Sequence, residues 1–216
     1  MYSMATRESF SLLMDSEDIK RVSALYSSRY KDEAQPSHKK VGWGSAESQE
    51  LRFSVLSQIG ISGTDSILDV GCGLGDFYLY LRSKGHQPTR YVGIDICEDF
   101  VLHCRSHLDS DRTRFLTGTL DQQGRELTAD FVVLSGSLNL KLRNNYDVAR
   151  ETLKEMMVRA HKGVAANFLT SYVDFMHDKD FHYSPEQIFK MCRQIASKVV
   201  LRHDYPLYEF TVYLYV

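Results

Sequence analysis

The chain has 216 residues, 43% hydrophobic and 25% charged, enough for one α/β domain with a sizeable core and an N-terminal extension. Its formal net charge is −2, with 26 Lys and Arg scattered among 28 Asp and Glu, which argues against a nucleic-acid partner and in favour of a small-molecule substrate. The four cysteines, Cys72, Cys97, Cys104 and Cys192, lack the paired spacing of a zinc site, so they read as reduced thiols and no metal is expected. No apolar run approaches membrane-spanning length and no signal-peptide core opens the chain, which leads to the expectation of a soluble, cytoplasmic monomer or homodimer.

Residues 1–14 carry no clear period, although Phe10, Leu12, Leu13 and Met14 are apolar enough to dock on a surface. A helix is expected from Asp15 or Ser16 as cap, with Glu17 and Asp18 suited to its positive end and Ile19, Val22, Leu25, Tyr26 and Tyr30 along one face. Such a face needs a partner, either the edge of a sheet or the mouth of a binding site. Residues 35–45 read as a loop by their Pro and Gly content and hold the sole tryptophan, Trp43, which either staples the loop to the core or walls a pocket. Residues 45–58 then read as a helix capped by Ser45 or Ser48, with Leu51, Val55, Leu56 and Ile59 inward.

The most informative stretch follows. Ile67-Leu68-Asp69-Val70-Gly71-Cys72-Gly73-Leu74-Gly75-Asp76-Phe77 is an apolar run that stops in three glycines at alternate positions and restarts at once: strand, tight turn, helix. Glycine allows the sharp reversal and lets a ligand lie against bare backbone, facing the unpaired N–H groups of the new helix. A dinucleotide fingerprint would place its third glycine at position 76, where this chain has Asp76, and an acid there suits no pyrophosphate. Asp69 adds a second carboxylate before the turn. The next strand, Tyr91-Val92-Gly93-Ile94-Asp95, ends in a carboxylate 20 residues beyond Gly75, placed to accept from ribose hydroxyls. The ligand these residues describe is a nucleoside without a diphosphate.

These two motifs resemble those of the class I S-adenosylmethionine-dependent methyltransferases. The resemblance implies a doubly wound, mostly parallel seven-stranded sheet with an antiparallel C-terminal strand, S-adenosylmethionine as cofactor, and cofactor contacts from Asp69, Gly71, Cys72, Gly73, Gly75, Asp95 and Ile96. It divides the chain into an N-terminal helical lid or extension, residues 1–45, and a cofactor-binding domain, residues 46–216. Val-Gly-Trp-Gly-Ser followed by Gln-x-x-Arg-Phe is similar to the N-terminal segment of small bacterial methyltransferases, which implies that Trp43, Gln49 and Arg52 face cofactor or substrate.

Beyond the glycine turn, helices are expected at 77–84, ended by Gly85, and at 98–108, with a strand at 113–117. Gly118-Thr119-Leu120 follows, where the family often has an acid for the adenine amino group; Thr119 departs from that, leaving backbone, Ile96 and Leu120 to hold adenine, with Asp121 as a substitute. The run Phe131-Val132-Val133-Leu134 reads as a strand buried on both faces, and the loop from Ser135 to Asn139 should face the methyl donor. The Asp/Asn-Pro-Pro-Tyr motif of exocyclic-amine methyltransferases is absent. A helix at 147–160, a strand at 164–169, an aromatic connection at 170–183, a helix from Ser184 or Pro185 to Ser197 and closing strands at 199–203 and 208–216 complete the chain. If the methyl acceptor must lose a proton, His38, His177, His182 and Tyr183 are the candidate bases. The expected activity is methylation of oxygen, nitrogen or carbon of a metabolite; the alternative is a cofactor-binding regulatory or assembly protein without transfer activity.

Overall fold

The computed structural model describes residues 14–216, so Phe10, Leu12 and Leu13 lie outside the described residues. Three helices lead: α1 (Ser16–Lys31), α2 (Ser37–Lys40) and α3 (Ala46–Ser57). Then come β1 (Ile67–Val70), α4 (Asp76–Ser83), β2 (Tyr91–Asp95), α5 (Glu98–Leu108), β3 (Thr113–Thr117), a short 3-10 turn (Leu120–Gln122) and β4 (Ala129–Leu134). The chain closes with α6 (Asn145–Arg159), β5 (Ala160–Leu169), α7 (Pro185–Ile195), β6 (Lys198–Arg202) and β7 (Glu209–Tyr215). One seven-stranded sheet runs in the order β3-β2-β1-β4-β5-β7-β6. Its first five strands are parallel to one another, and β7 is antiparallel to β5 and β6.

The local chemistry explains the boundaries. Asp15 caps α1 by accepting from the Asp18 N–H at 2.8 Å, and Ser45 with Ser48 forms a reciprocal capping box at the start of α3. Residues 37–40, expected as loop, form one helical turn, which Pro36 enters in extended conformation. Strand β5 starts at Ala160 instead of 164, since α6 hands over directly and Ala160 already pairs with Ala129.

Strands β1 and β2 are buried throughout, as parallel strands covered on both faces must be. On one face Phe53, Leu56, Phe77, Leu81, Val101 and Cys104 pack against the sheet; on the other lie Val22, Leu153, Met156, Ile188 and Met191. Helix α1 lies over the carboxyl edge of the strands. At one end Ser27 Oγ donates to Asp99 at 2.5 Å, and Tyr30 meets His103 at 3.3 Å; in the middle Ser23 Oγ donates to the Ile96 carbonyl. At the other end Asp18 accepts from the Arg143 N–H, and Arg21 donates to the Lys141 carbonyl. The helix thus bridges α5 to the segment between β4 and α6.

Candidate active site

A cavity of about 250 Å³ opens between the carboxyl ends of β1, β2, β4 and β5 and the N-terminal helices. This is where open α/β sheets bind ligands, because the strand order reverses there and the loops diverge. The glycine turn forms one wall. Gly71, Gly73 and Gly75 all have positive φ, at 75°, 54° and 78°. A Cβ on Gly71 would overlap Ser137, and one on Gly73 would come within 3.0 Å of Val41. Gly75 does not line the cavity; a Cβ there would run into Leu108 beneath the turn, so its role is packing of α4 and α5 and not ligand contact.

Asp95 ends β2 with both carboxylate oxygens on backbone donors, Gly73 N–H at 2.9 Å and Cys97 N–H at 2.8 Å. It therefore ties the second strand to the glycine turn while its remaining lone pairs face the cavity. Burial pushes its pKa up to about 6, against the pull of those N–H groups. Asp69 is almost wholly buried and accepts from the Tyr91 hydroxyl; burial, with Asp95 and Asp76 nearby, raises it to about 7. Asp76 is also raised by burial and is held by the Gln49 amide at 2.8 Å. Three carboxylates thus converge on the turn, and among the described residues no Lys or Arg is paired to them. Ile96, Gly118, Thr119 and Leu120 form the wall beyond β2 and β3, whereas Asp121 is not on it. The Thr119 N–H donates to Gln122, closing the 3-10 turn.

The opposite end lies over β4, β5 and β7. Here Trp43 packs on Gly136, where any Cβ would overlap the indole, and Gly136 donates its N–H to Asn167 at 2.7 Å. Arg52 lies over the Trp43 ring, 4.1 Å from its centroid, and its Nε meets both oxygens of the buried Glu209 at 2.7 Å, with Nη2 at 2.5 Å. Burial raises the Glu209 pKa and Arg52 opposes it. Gln49 and Arg52, one turn apart on α3, are therefore divided: Gln49 belongs to the glycine turn and Arg52 to the far wall. Glu209 was missed in the sequence because nothing local marks it; only the β5–β7 pairing brings it beside Leu169. Ser135 lines the cavity with its hydroxyl buried and, among the described residues, without a partner.

The candidate bases fare differently. Tyr183 is fully buried, donates to the Leu138 carbonyl and accepts from Asn145, so it is a core residue. His182 pairs with the Thr170 carbonyl, His177 packs against Phe175 on an exposed stretch, and His38 sits on α2. Among the described residues no histidine lines the cavity. Position along the sequence could not separate residues near the strand ends from residues facing inward. Nor do the described residues contain a group of three or more His, Cys, Asp or Glu arranged to hold a metal ion. None of their helices is long and apolar enough to cross a membrane.

The glycine cradle, the carboxylate ending β2 and the parallel sheet with its antiparallel seventh strand define a class I fold, and the chain belongs to the S-adenosylmethionine-dependent methyltransferases. The methyltransferase-domain family model matches residues 67–163. A Mycobacterium tuberculosis protein named as a methyltransferase, Rv1506c, is 32% identical over 157 residues, covering 68% of this chain and 90% of that protein. Among solved structures, magnesium protoporphyrin IX methyltransferase from Synechocystis PCC 6803 with bound S-adenosylhomocysteine shares the fold at 15% identity and TM-score 0.65, over 92% of this chain and 99% of that one. The DhpI complex with S-adenosylhomocysteine matches at 11% identity and TM-score 0.65, over 90% and 95%. Small RNA methyltransferase HEN1 matches at 14% identity and TM-score 0.60, over 78% of this chain and 25% of that one. The cofactor is S-adenosylmethionine, and the cavity fits it: a bare-backbone cradle, a carboxylate at the end of β2, and a cluster of acids that a cationic ligand would satisfy.

Proposed function

We propose that this enzyme methylates oxygen, nitrogen or carbon of a small metabolite in the cytoplasm, with residues 1–45 serving as lid. The observation that carries this reading is the roof of the cavity. Helix α1 and residues 41–44 cover the strand ends, and Val22, Tyr26, Val41, Trp43, Leu138, Leu140 and Leu169 line the space beneath them. A covered apolar space of that size suits a small acceptor better than a polymer, and the net charge of −2 offers a polyanion no attraction.

The cofactor supplies an activated methyl group on a positively charged sulfur. The protein's task is alignment and exclusion of water. Gly71 and Gly73 give the ligand its backbone bed, and Asp95 accepts from the ribose hydroxyls. Asp69 and Ser135 face the amino-acid end, and Ile96, Thr119 and Leu120 hold the base. Trp43 and the Arg52–Glu209 pair form the acceptor wall.

The test is incubation with labelled S-adenosylmethionine and fractionated metabolite extract, followed for S-adenosylhomocysteine. Release with a low-molecular-mass fraction supports the reading, and release only with RNA overturns the small-molecule assignment. The lid is tested by deleting residues 1–40. Folded truncated protein that keeps both cofactor affinity and transfer would defeat it.

A further inference from the structure

We infer that Asp180 is the base that takes the proton of the methyl acceptor, so that the accepting atom is a hydroxyl oxygen or an amine nitrogen and not carbon. This deepens the small-metabolite reading above and rests on it.

Asp180 lies in the connection between β5 and α7, where residues 179–181 run antiparallel to residues 139–141. The Lys141 N–H donates to the Lys179 carbonyl at 2.8 Å and the Phe181 N–H to the Asn139 carbonyl at 2.8 Å, and between these bonds Asp180 faces Leu140. Residues directly opposite in such a pair send their side chains to the same side. Leu140 is buried and lines the cavity, and Asp180 lines it too. A third bond, from the Asp180 N–H to the His177 carbonyl at 3.0 Å, fixes the backbone further. The carboxylate is thus held on the β4 side of the cavity, whereas Asp95 ends β2 on the other side of β1.

The other carboxylates of the cavity are committed. Asp69 accepts from Tyr91, Asp76 from Gln49 and Asp95 from two backbone N–H groups, while Glu209 is paired with Arg52. Among the described residues the Asp180 carboxylate has no hydrogen bond and no ion pair. The cavity it enters is lined by Val22, Leu138 and Leu140 and by Tyr26, whose pKa is pushed up to about 12 by burial, with Asp95 and Asp180 adding to the rise and Arg29 opposing it. Tyr26 therefore keeps its proton at neutral pH and is no base. Arg29 stands on the glycine-turn side, its Nη1 against Gly42, next to Val41, whose side chain rests on Gly73. A carboxylate among apolar side chains calls for a donor, and the O–H or N–H of a bound acceptor supplies one.

In the step, a lone pair on the acceptor's oxygen or nitrogen forms the bond to the methyl carbon. The sulfur–methyl bond breaks with its electron pair left on sulfur, which becomes neutral, and the acceptor's proton passes to an Asp180 oxygen and from there to water. An oxygen or nitrogen turns strongly acidic as it gains the methyl group, so a carboxylate is base enough. A carbon nucleophile must lose its proton before it attacks, which asks for a stronger base.

The probe is the low-molecular-mass extract fraction with which wild-type protein releases S-adenosylhomocysteine, supplied with S-adenosylmethionine labelled at the methyl carbon. NMR of the product should find the label on oxygen or nitrogen. Asp180→Asn should lower kcat by about a hundredfold or more, with the half-saturating amount of the fraction, and the calorimetric affinities for S-adenosylmethionine and S-adenosylhomocysteine, within about twofold of wild type. Its melting temperature should be unchanged, and Asp180→Glu should restore part of the rate. Label on carbon would overturn the inference, as would full rate in Asp180→Asn. A larger half-saturating amount with kcat kept would also overturn it, since Asp180 would then only bind the acceptor. Weaker binding of S-adenosylmethionine with unchanged binding of S-adenosylhomocysteine would do the same, by assigning the carboxylate to the sulfonium charge. Release by wild-type protein only with RNA, or with no fraction at all, would refute the small-molecule reading itself, and this inference with it.

Discussion

Replacing Asp69 by Asn should stabilise the unliganded protein at neutral and alkaline pH and weaken its hold on the cofactor. In the folded chain Asp69 is buried beside Asp95 and Asp76, and its pKa is pushed from 3.8 up to about 7. Between those values the native state binds a proton that the unfolded chain has released, so stability is fully present below about pH 4 and is lost as pH rises through about 7. At about 1.4 kcal/mol per unit, three units amount to roughly 4 kcal/mol of folding free energy forgone by the ionised carboxylate. Asn keeps an acceptor for the Tyr91 hydroxyl, and the strength that bond gains from the ionised carboxylate is already contained in the raised pKa. The gain should therefore approach about 4 kcal/mol at pH 8 and vanish near pH 4. Urea unfolding of both proteins from pH 4 to 8.5 would measure it, and Asp95 titrates in both and largely cancels. A stability difference that does not change with pH would refute the reasoning, because it would mean that Asp69 is not carrying the cost of an unpaired buried charge. The same variant should bind S-adenosylhomocysteine more weakly, as a group held at a stability cost for function would.

Asp95→Ala should weaken S-adenosylhomocysteine by about 1–3 kcal/mol in calorimetry, the cost of leaving ribose hydroxyls without a charged acceptor; unchanged affinity would place the ribose elsewhere. Glu209→Ala should destabilise the protein by roughly 3–5 kcal/mol, since it strands the Arg52 charge under Trp43, and adding Arg52→Met should recover much of that loss in urea unfolding. Equal stability of the single and double variants would show that the pair is not coupled. Tyr183→Phe should cost about 1 kcal/mol of stability and leave cofactor affinity unaltered, because its hydroxyl serves the Leu138 carbonyl and Asn145 inside the core. A fall in methyl transfer without a fall in stability would return Tyr183 to the site.

Local chemistry was enough for the glycine turn and the carboxylate beside it. A glycine turn between β1 and α4 and a carboxylate at the end of β2 are contiguous features, and the reasons for them act within a few residues: positive φ at Gly71 and Gly73, an acid at position 76 in place of glycine, Asp95 one strand later. Continuous apolar runs also announced buried parallel strands, and the caps Asp15 and Ser45 announced helices. The far wall of the cavity was decided only by tertiary structure. Arg52 meets Glu209 across 157 positions of chain, Trp43 finds Gly136, and Asn167 holds the Gly136 N–H; none of these pairings has a sequence period. Tyr183 and the cavity-lining residues alike sit near strand ends, and whether a side chain points inward, outward or into the cavity depends on the sheet's twist and on which helix lies above it. In the sequence nothing sets Arg29 apart from the other charges of its helix. Its place beside the glycine turn exists only because α1 folds back over the strand ends, a contact whose cause is burial of Val22 and Tyr26 against distant strands and not anything adjacent in the chain.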